Sequence, residues 1–191
     1  MSKIHMFKDQ KDYIKKLTDD NIINIIGSKG SGKTTESKKY IDDDEYIVVN
    51  CDRLLELQES FKEDKELSNI RNLLKKKYGP LKDDFTDYYE DIVNYILKKK
   101  KKGLIEGNAI QDIDPKLLKG EIIVKRTATF KCFKRAVKRD YKNEYFMNLE
   151  KEKHKYFYKV TRLHKVIKRR KKIFKQIKDI ENIIDKLEEI K

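Results

Sequence analysis

Apolar and polar residues switch between two periods along this chain, and the switches mark out its elements. Ile22, Ile23, Ile25 and Ile26 form a short β-branched run ahead of Gly27, which predicts a buried strand too short for an independent helix. "TTESKKYI" predicts a helix that starts at about Lys33, and "EYIVVN" a second strand ending at Asn50, Cys51 and Asp52. From Leu54 to about Tyr78 the pattern is helical, closed by Gly79 and Pro80. Phe85, Tyr88 or Tyr89, Ile92, Tyr95 and Ile96 then recur at helical spacing. After Gly103, "LIEGNAI" predicts a third strand; after Asp114, Pro115 and Gly120, "EIIVKR" predicts a fourth. Ahead of all of these, residues 7–18, "FKDQKDYIKKLT", predict an amphipathic helix leading into the first strand.

Beyond Gly120 the chain has neither Gly nor Pro, so apart from the fourth strand this stretch is predicted to be helical. Ile173, Ile177, Ile180, Ile184 and Leu187 alternate steps of four and three, a narrow apolar seam that packs on the domain or pairs with another chain. Strands alternating with helices imply an α/β fold: three layers around a mostly parallel sheet of about four strands, with a long helical C-terminal region. Ligands of such sheets bind at the carboxyl ends of the strands. The organisation expected is an N-terminal helix over 1–19, a core over 20–141 with a lid helix over 127–141, and a basic helical extension over 142–191 packed on the core.

Composition narrows the setting. Of 191 residues 38% are hydrophobic and 42% charged, which implies a small core under a highly charged surface. No stretch reads as a signal peptide or a membrane span, and Cys51 and Cys132 make no disulfide framework, so a cytoplasmic protein is expected. His5, His154 and His164 lack metal-site spacing. The net charge of +14 is unevenly placed: residues 121–191 hold 23 Lys/Arg against 10 Asp/Glu, and the first 120 residues hold 24 against 23. A basic region of this kind attracts nucleic acid, nucleotides or an acidic partner, or is simply a solvated helix surface.

The chemistry concentrates at one stretch. Gly27, Ser28, Lys29, Gly30, Ser31, Gly32, Lys33 and Thr34 fit G-x-x-x-x-G-K-[ST] without mismatch, between a predicted strand and a predicted helix, with Thr35 next in line. Such a loop turns backbone N–H groups inward around phosphate oxygens, and its glycines permit positive-φ and close-approach conformations. Lys33 then reaches the β- and γ-phosphates of ATP, and the Thr34 hydroxyl binds Mg²⁺. No strand of four apolar residues ends in Asp or Asp-Glu, as a motor or helicase needs, and no Asn-Lys-x-Asp is present for guanine.

In order and spacing the chain resembles the small P-loop kinases, the group that includes nucleoside monophosphate kinases, polynucleotide kinases and zeta-toxin-like kinases. The likeness spans about residues 20–141 and rests on the glycine loop, "VNCDRL", "LIEGNAI" and "VKRTATFKCFKRAVKRD". It departs from that group by an extra N-terminal helix and by the lack of an evident strand after the lid, where "KYFYKV" is predicted helical. The resemblance implies a Mg²⁺-assisted, ATP-dependent phosphotransferase on a P-loop NTPase fold. In it Asp52 is the base or positioning group for a hydroxyl acceptor, or else a helix N-cap for "RLLELQ". Arg53 and Arg126 bind the acceptor or are solvated. Glu106 holds Mg²⁺ beside Thr34 and contacts the substrate, or pairs with a lysine. Arg135 or Arg139 acts as an arginine finger, or belongs to a basic solvated face with Lys131 and Lys138. The acceptor is a hydroxyl compound or a nucleotide phosphate. The other reading is a nucleotide-dependent nucleic-acid-binding ATPase module without kinase activity, engaging nucleic acid through the basic C-terminal region; a third is a kinase that binds without turnover.

Overall fold

The computed structural model describes residues 9–18, 20–55, 65–82, 85–147 and 155–190, with side chains described outside 140–163. Its centre is a five-stranded sheet built from β1 (Tyr13–Lys16), β2 (Ile22–Ile26), β3 (Tyr46–Asn50), β4 (Lys102–Glu106) and β5 (Glu121–Val124), in the order β1-β5-β2-β4-β3. The last four strands run parallel, and β1 pairs antiparallel with β5 at the edge. The helices are α1 (Lys33–Ser37, continued by a 3₁₀ turn to Tyr40), α2 (Cys51–Leu55), α3 (Lys65–Tyr78), α4 (Thr86–Lys98), α5 (Thr129–Met147) and α6 (Lys155–Glu189).

The α/β expectation stands, with two corrections at the N-terminus. Residues 13–16 form a strand instead of part of a helix, and this strand brings the sheet to five where about four were expected. Four residues of "YIKK" satisfy either period; pairing with β5, which gives every other residue a half-buried face, decides for the strand. The residues 1–8 of the predicted helix lie outside the described residues. Residues 155–160 open α6 and are helical. Of the segment predicted as one helix from Leu54, its start is helical in α2 and residues 65–78 are helical in α3; 56–64 lie outside the described residues. Residues 98–102 are five consecutive lysines, of which Lys98 closes α4, Lys100 turns the chain at φ 56° and Lys102 opens β4.

Strands β2 and β4 are largely buried on both sides because they lie inside the sheet under packed helices. The core collects Ile22, Ile26, Ile47, Val49, Ile105 and Val124 from the sheet, Leu67, Ile70 and Leu74 from α3, and Tyr88, Tyr89, Ile92, Val93 and Ile96 from α4. Asn24, fully buried in β2, donates to the carbonyl of Lys119 at 2.6 Å and accepts from the Tyr89 hydroxyl at 3.0 Å. Burial pushes the Tyr89 hydroxyl up to about 12, so it stays protonated and able to donate.

The apolar seam of α6 packs within the chain. Ile180, Ile183, Ile184 and Leu187 join the main core, and Ile173 and Ile177 pack with Cys132 and Ala136 of α5. The far end of α6 is tied to the edge strand, where the Lys15 ammonium donates to the carbonyls of Leu187 and, at 2.6 Å, Ile190. A cation on the last carbonyls of a helix offsets its negative pole. The chain leaves β2 towards β3 on one side and later crosses β2 to reach β5 on the other. A reversal of this kind opens a crevice at the carboxyl ends of the strands.

Candidate functional site

That crevice is a cavity of about 700 Å³. Four strand ends contribute to its wall: residues 29–36 after β2, Asp52 after β3, Glu106 and Asn108 at the end of β4, and Lys125, Arg126 and Thr127 after β5. Helix α5 closes one side with Lys131, Arg135 and Arg139, and the N-terminal segment adds Asp9, Gln10 and Asp12.

The glycine loop has the backbone its sequence calls for. Gly30 has φ 87° and Gly32 φ 100°, a region that other residues seldom enter, and Gly32 is the N-cap of α1. A side chain on Gly30 would meet the backbone carbonyl of Cys132 at 2.5 Å, so the loop lies directly against α5. Several bonds fix it there. Ser28 Oγ donates to Cys132 Sγ at 3.4 Å, Thr127 Oγ1 to the Ser31 carbonyl at 2.7 Å, and Arg135 Nη1 to the Gly30 carbonyl at 3.2 Å. From α6, buried Gln176 accepts the Lys29 N–H at 3.0 Å.

Lys33 is 7% exposed and folds back over the loop. Its Nζ donates to the carbonyls of Gly27 at 2.5 Å and Ser28 at 3.3 Å, and to Asn108 Oδ1 at 3.2 Å. Burial pushes its ammonium below the usual lysine range, while Glu106 and Asp52 pull it back up. Gln111 Nε2 also donates to the Gly27 carbonyl, at 2.7 Å.

The strand register explains the acidic side. Asn50 pairs with Glu106 across β3 and β4, and Asn50 Nδ2 donates to Glu106 Oε1. Thr34 Oγ1 donates to the same oxygen at 3.3 Å. Glu106 is 2% exposed; burial raises its carboxyl above the ordinary value, opposed by Asn50, Lys33 and Thr34. Asp52 is gripped through both oxygens by Asn108, whose N–H lies 3.1 Å from Oδ1 and whose Nδ2 lies 2.9 Å from Oδ2. Asp52 does not cap the helix it opens. Asn50 does so, its Oδ1 accepting the Arg53 N–H at 2.8 Å.

Not every expected residue reaches the cavity. Lys29, Gly30, Ser31, Gly32, Lys33, Thr34, Thr35, Asp52, Glu106, Arg126, Arg135 and Arg139 line it, whereas Gly27 and Ser28 form the loop's base. Arg53 faces away on the exposed side of α2, its carbonyl accepting from Arg71 Nη2 at 2.8 Å. Sequence reasoning missed Asn50, Asn108, Gln111 and Gln176. Asn108 stood inside "LIEGNAI", and Gln176 broke the apolar seam between Ile173 and Ile177, a polar residue at an inward position. It also missed the N-terminal acids. Asp9 accepts from Lys131 and from the Ala128 N–H at 2.9 Å, and Asp12 accepts from Lys125 and from the Arg126 N–H at 3.2 Å. The bond from Lys131, foremost, holds the Asp9 carboxyl below the usual range.

The cavity lining sets the cations Lys33, Arg126, Arg135 and Arg139 beside the acids Asp52 and Glu106. Among the described residues, the buried side-chain polar atoms without a partner are Ser31 Oγ, Arg126 Nε and Thr129 Oγ1, and the first two belong to lining residues. Buried donors are seldom left unmet outside functional sites. No group of three His, Cys, Asp or Glu placed to hold a metal occurs among the described residues. Mg²⁺ does not need one: it keeps several waters and takes one or two protein oxygens beside phosphate. Thr34 and Glu106, already hydrogen-bonded, fit that requirement. Burial raises both thiols, Cys51 strongly, so neither presents a thiolate. No helix among the described residues is long and apolar enough to cross a membrane. A scan of protein-family models finds none that matches this chain, and a search of curated proteins finds no match.

Proposed function

We propose that this protein is an ATP-dependent phosphotransferase of the P-loop type, moving the γ-phosphoryl group to a hydroxyl acceptor with the help of Mg²⁺. The observation that carries the reading is convergence: the glycine loop, an acid from each of two strand tips and three arginines line one cavity.

Each group then has a task. The loop N–H groups and the Lys33 ammonium take the β- and γ-phosphate oxygens; to do so, Lys33 exchanges its bonds to the Gly27 and Ser28 carbonyls for phosphate. Thr34 and Glu106 are the residues that would hold Mg²⁺, which neutralises charge developing between the β- and γ-phosphates. Asp52, oriented through both oxygens by Asn108, accepts the proton of the acceptor hydroxyl. The new P–O bond forms to that hydroxyl oxygen as the bond to the β–γ bridging oxygen breaks, and ADP leaves. Arg126, Arg135 and Arg139 face the transferred group, where positioning and charge neutralisation supply most of the rate.

The test is transfer of labelled γ-phosphate by the purified full chain to nucleosides, nucleoside monophosphates and 5′-hydroxyl oligonucleotides. Asp52→Asn is expected to lower transfer by about 10²- to 10⁴-fold while leaving ATP binding unchanged. Undiminished transfer in that variant would remove the hydroxyl-acceptor mechanism, and the absence of transfer to any acceptor of the panel, hydroxyl or phosphate, would remove the kinase reading.

A further inference from the structure

The buried seam of α6 has one polar member. Between residues 171 and 189 the buried positions of the helix are 173, 176, 177, 180, 183, 184 and 187, and all but Gln176 are isoleucine or leucine. Ile173 and Ile177 pack with α5, while Ile180, Ile183, Ile184 and Leu187 join the main core. Gln176 therefore sits where the helix passes from one apolar cluster to the other, and a leucine there would extend both. An amide in such a place costs free energy unless it is bonded. Its partner is the Lys29 N–H, 3.0 Å from Oε1 and 147 residues earlier in the chain.

That N–H belongs to a peptide plane with a second attachment. A trans peptide points its N–H and its C=O in opposite directions. The carbonyl of the same unit, that of Ser28, accepts the Ser31 N–H at 3.0 Å and the Lys33 ammonium at 3.3 Å. Gln176, accepting the N–H on the α6 side, thus keeps the carbonyl turned towards Lys33 and with it the turn from Ser28 to Ser31. Rotation of the plane would carry the carbonyl away from both of these donors. Neighbouring carbonyls of the loop are fixed from other elements: Gly27 by Gln111 at 2.7 Å, Gly30 by Arg135 at 3.2 Å and Ser31 by Thr127 at 2.7 Å.

We propose that Gln176 is a positioning residue of the phosphate loop: by holding the Ser28–Lys29 peptide plane from α6, it keeps the loop in the conformation that receives the β- and γ-phosphates of a nucleotide. The inference rests on reading residues 27–34 as a phosphate loop and adds to it a residue from outside every motif. Donors already in place bind an anion without the cost of ordering them. A loop that holds the competent conformation for only a fraction of the time loses affinity by that fraction. When phosphate arrives and Lys33 leaves the Ser28 carbonyl, that carbonyl keeps only the Ser31 N–H, and the bond to Gln176 does more of the holding.

The experiment is isothermal titration calorimetry of the full chain with Mg²⁺ and a non-hydrolysable ATP analogue, with thermal melts followed by circular dichroism, on the parent, Gln176→Met, Gln176→Leu and Leu187→Ala. Methionine keeps the length and volume of the side chain and removes the accepting oxygen. Both Gln176 variants are expected to retain the parent's spectrum and to melt within about 4 °C of it. They are expected to bind the analogue about tenfold more weakly, as when the competent loop falls to about a tenth of the population. Leu187→Ala loosens α6 without touching the loop; it is expected to melt lower and to bind within about twofold of the parent. In ¹⁵N-labelled protein without nucleotide, the Lys29 amide is expected to exchange with solvent at least about tenfold faster in Gln176→Met than in the parent.

Equal binding by the parent and Gln176→Met would overturn this inference and leave the phosphate loop in place. No binding by the parent would remove the loop reading and this inference together. A loss of affinity in Leu187→Ala as large as in Gln176→Met would assign the effect to the packing of α6. Loss of fold in both Gln176 variants would make the residue structural, and an unchanged Lys29 exchange rate would show that the bond does not hold the plane; each of these three results overturns the proposal.

Discussion

Glu106 and Lys33 both lie within the wall of the cavity, one 2% and the other 7% exposed, in surroundings that disfavour a charge on either. The shifts run as burial dictates: the carboxyl up and the ammonium down. Ionisable groups perturbed together in one cleft are a pattern that clusters at functional sites. The raised carboxyl also sets a pH dependence. The folded value of Glu106 lies above its ordinary 4.5, so the folded state binds the proton more readily than the unfolded chain. Its contribution is therefore complete below about pH 4.5 and is lost as pH rises through the folded value. Glu106→Gln removes that loss. The stability of the variant relative to the parent, measured by urea denaturation across pH, should grow from about pH 4.5 upward and then level off; a difference that shrinks with pH would place Glu106 in a carboxylate-stabilising environment instead. Among these residues the glycines and Lys33 were legible because phosphate loops demand those types at those spacings. Asn50 and Asn108 were not, because what makes them matter is a strand register and a turn that only the assembled sheet supplies.

At the level of elements, α6 is the one whose role depends most on the rest. Its last turn carries Glu188 and Glu189 against a single Lys186, and the two acids oppose the helix pole. Burial of Ile180, Ile183, Ile184 and Leu187 and the Lys15 ammonium on the terminal carbonyls hold it down. Leu187→Ala should lower the unfolding free energy by about 2–5 kcal/mol with little change in the denaturant slope. A loss under about 0.5 kcal/mol would mean that the seam does not pack on the core in solution. The seam itself was readable from the alternating steps of four and three. Its partner was not: the same pattern serves a coiled coil or an intramolecular contact, and only the apolar residues waiting on the core decide between them. The N-terminal strand failed for the opposite reason. Four residues contain too little period to distinguish strand from helix, and β5, more than a hundred residues on, provides the pairing.

Across the whole molecule the order β1-β5-β2-β4-β3 brings four strand ends to one crevice, where the glycine loop, Asp52, Glu106 and Arg126 were expected, and Arg135 and Arg139 reach it from α5. That much followed from alternation of strands and helices. The direction in which acids from the N-terminal segment cross the basic side of the cavity did not, since Asp9 and Asp12 lie outside any motif and meet Lys131 and Lys125 through the fold alone. The account as a whole depends on the loop from Gly27 to Thr34 holding a triphosphate. Isothermal titration calorimetry of the full chain with Mg²⁺ and a non-hydrolysable ATP analogue tests this most directly, with Lys33→Met beside the parent. The account predicts saturable binding with a Kd below about 1 mM for the parent. It predicts none for Lys33→Met, whose circular dichroism spectrum should match the parent's. No binding heat for the parent, or equal binding by the variant, would contradict it.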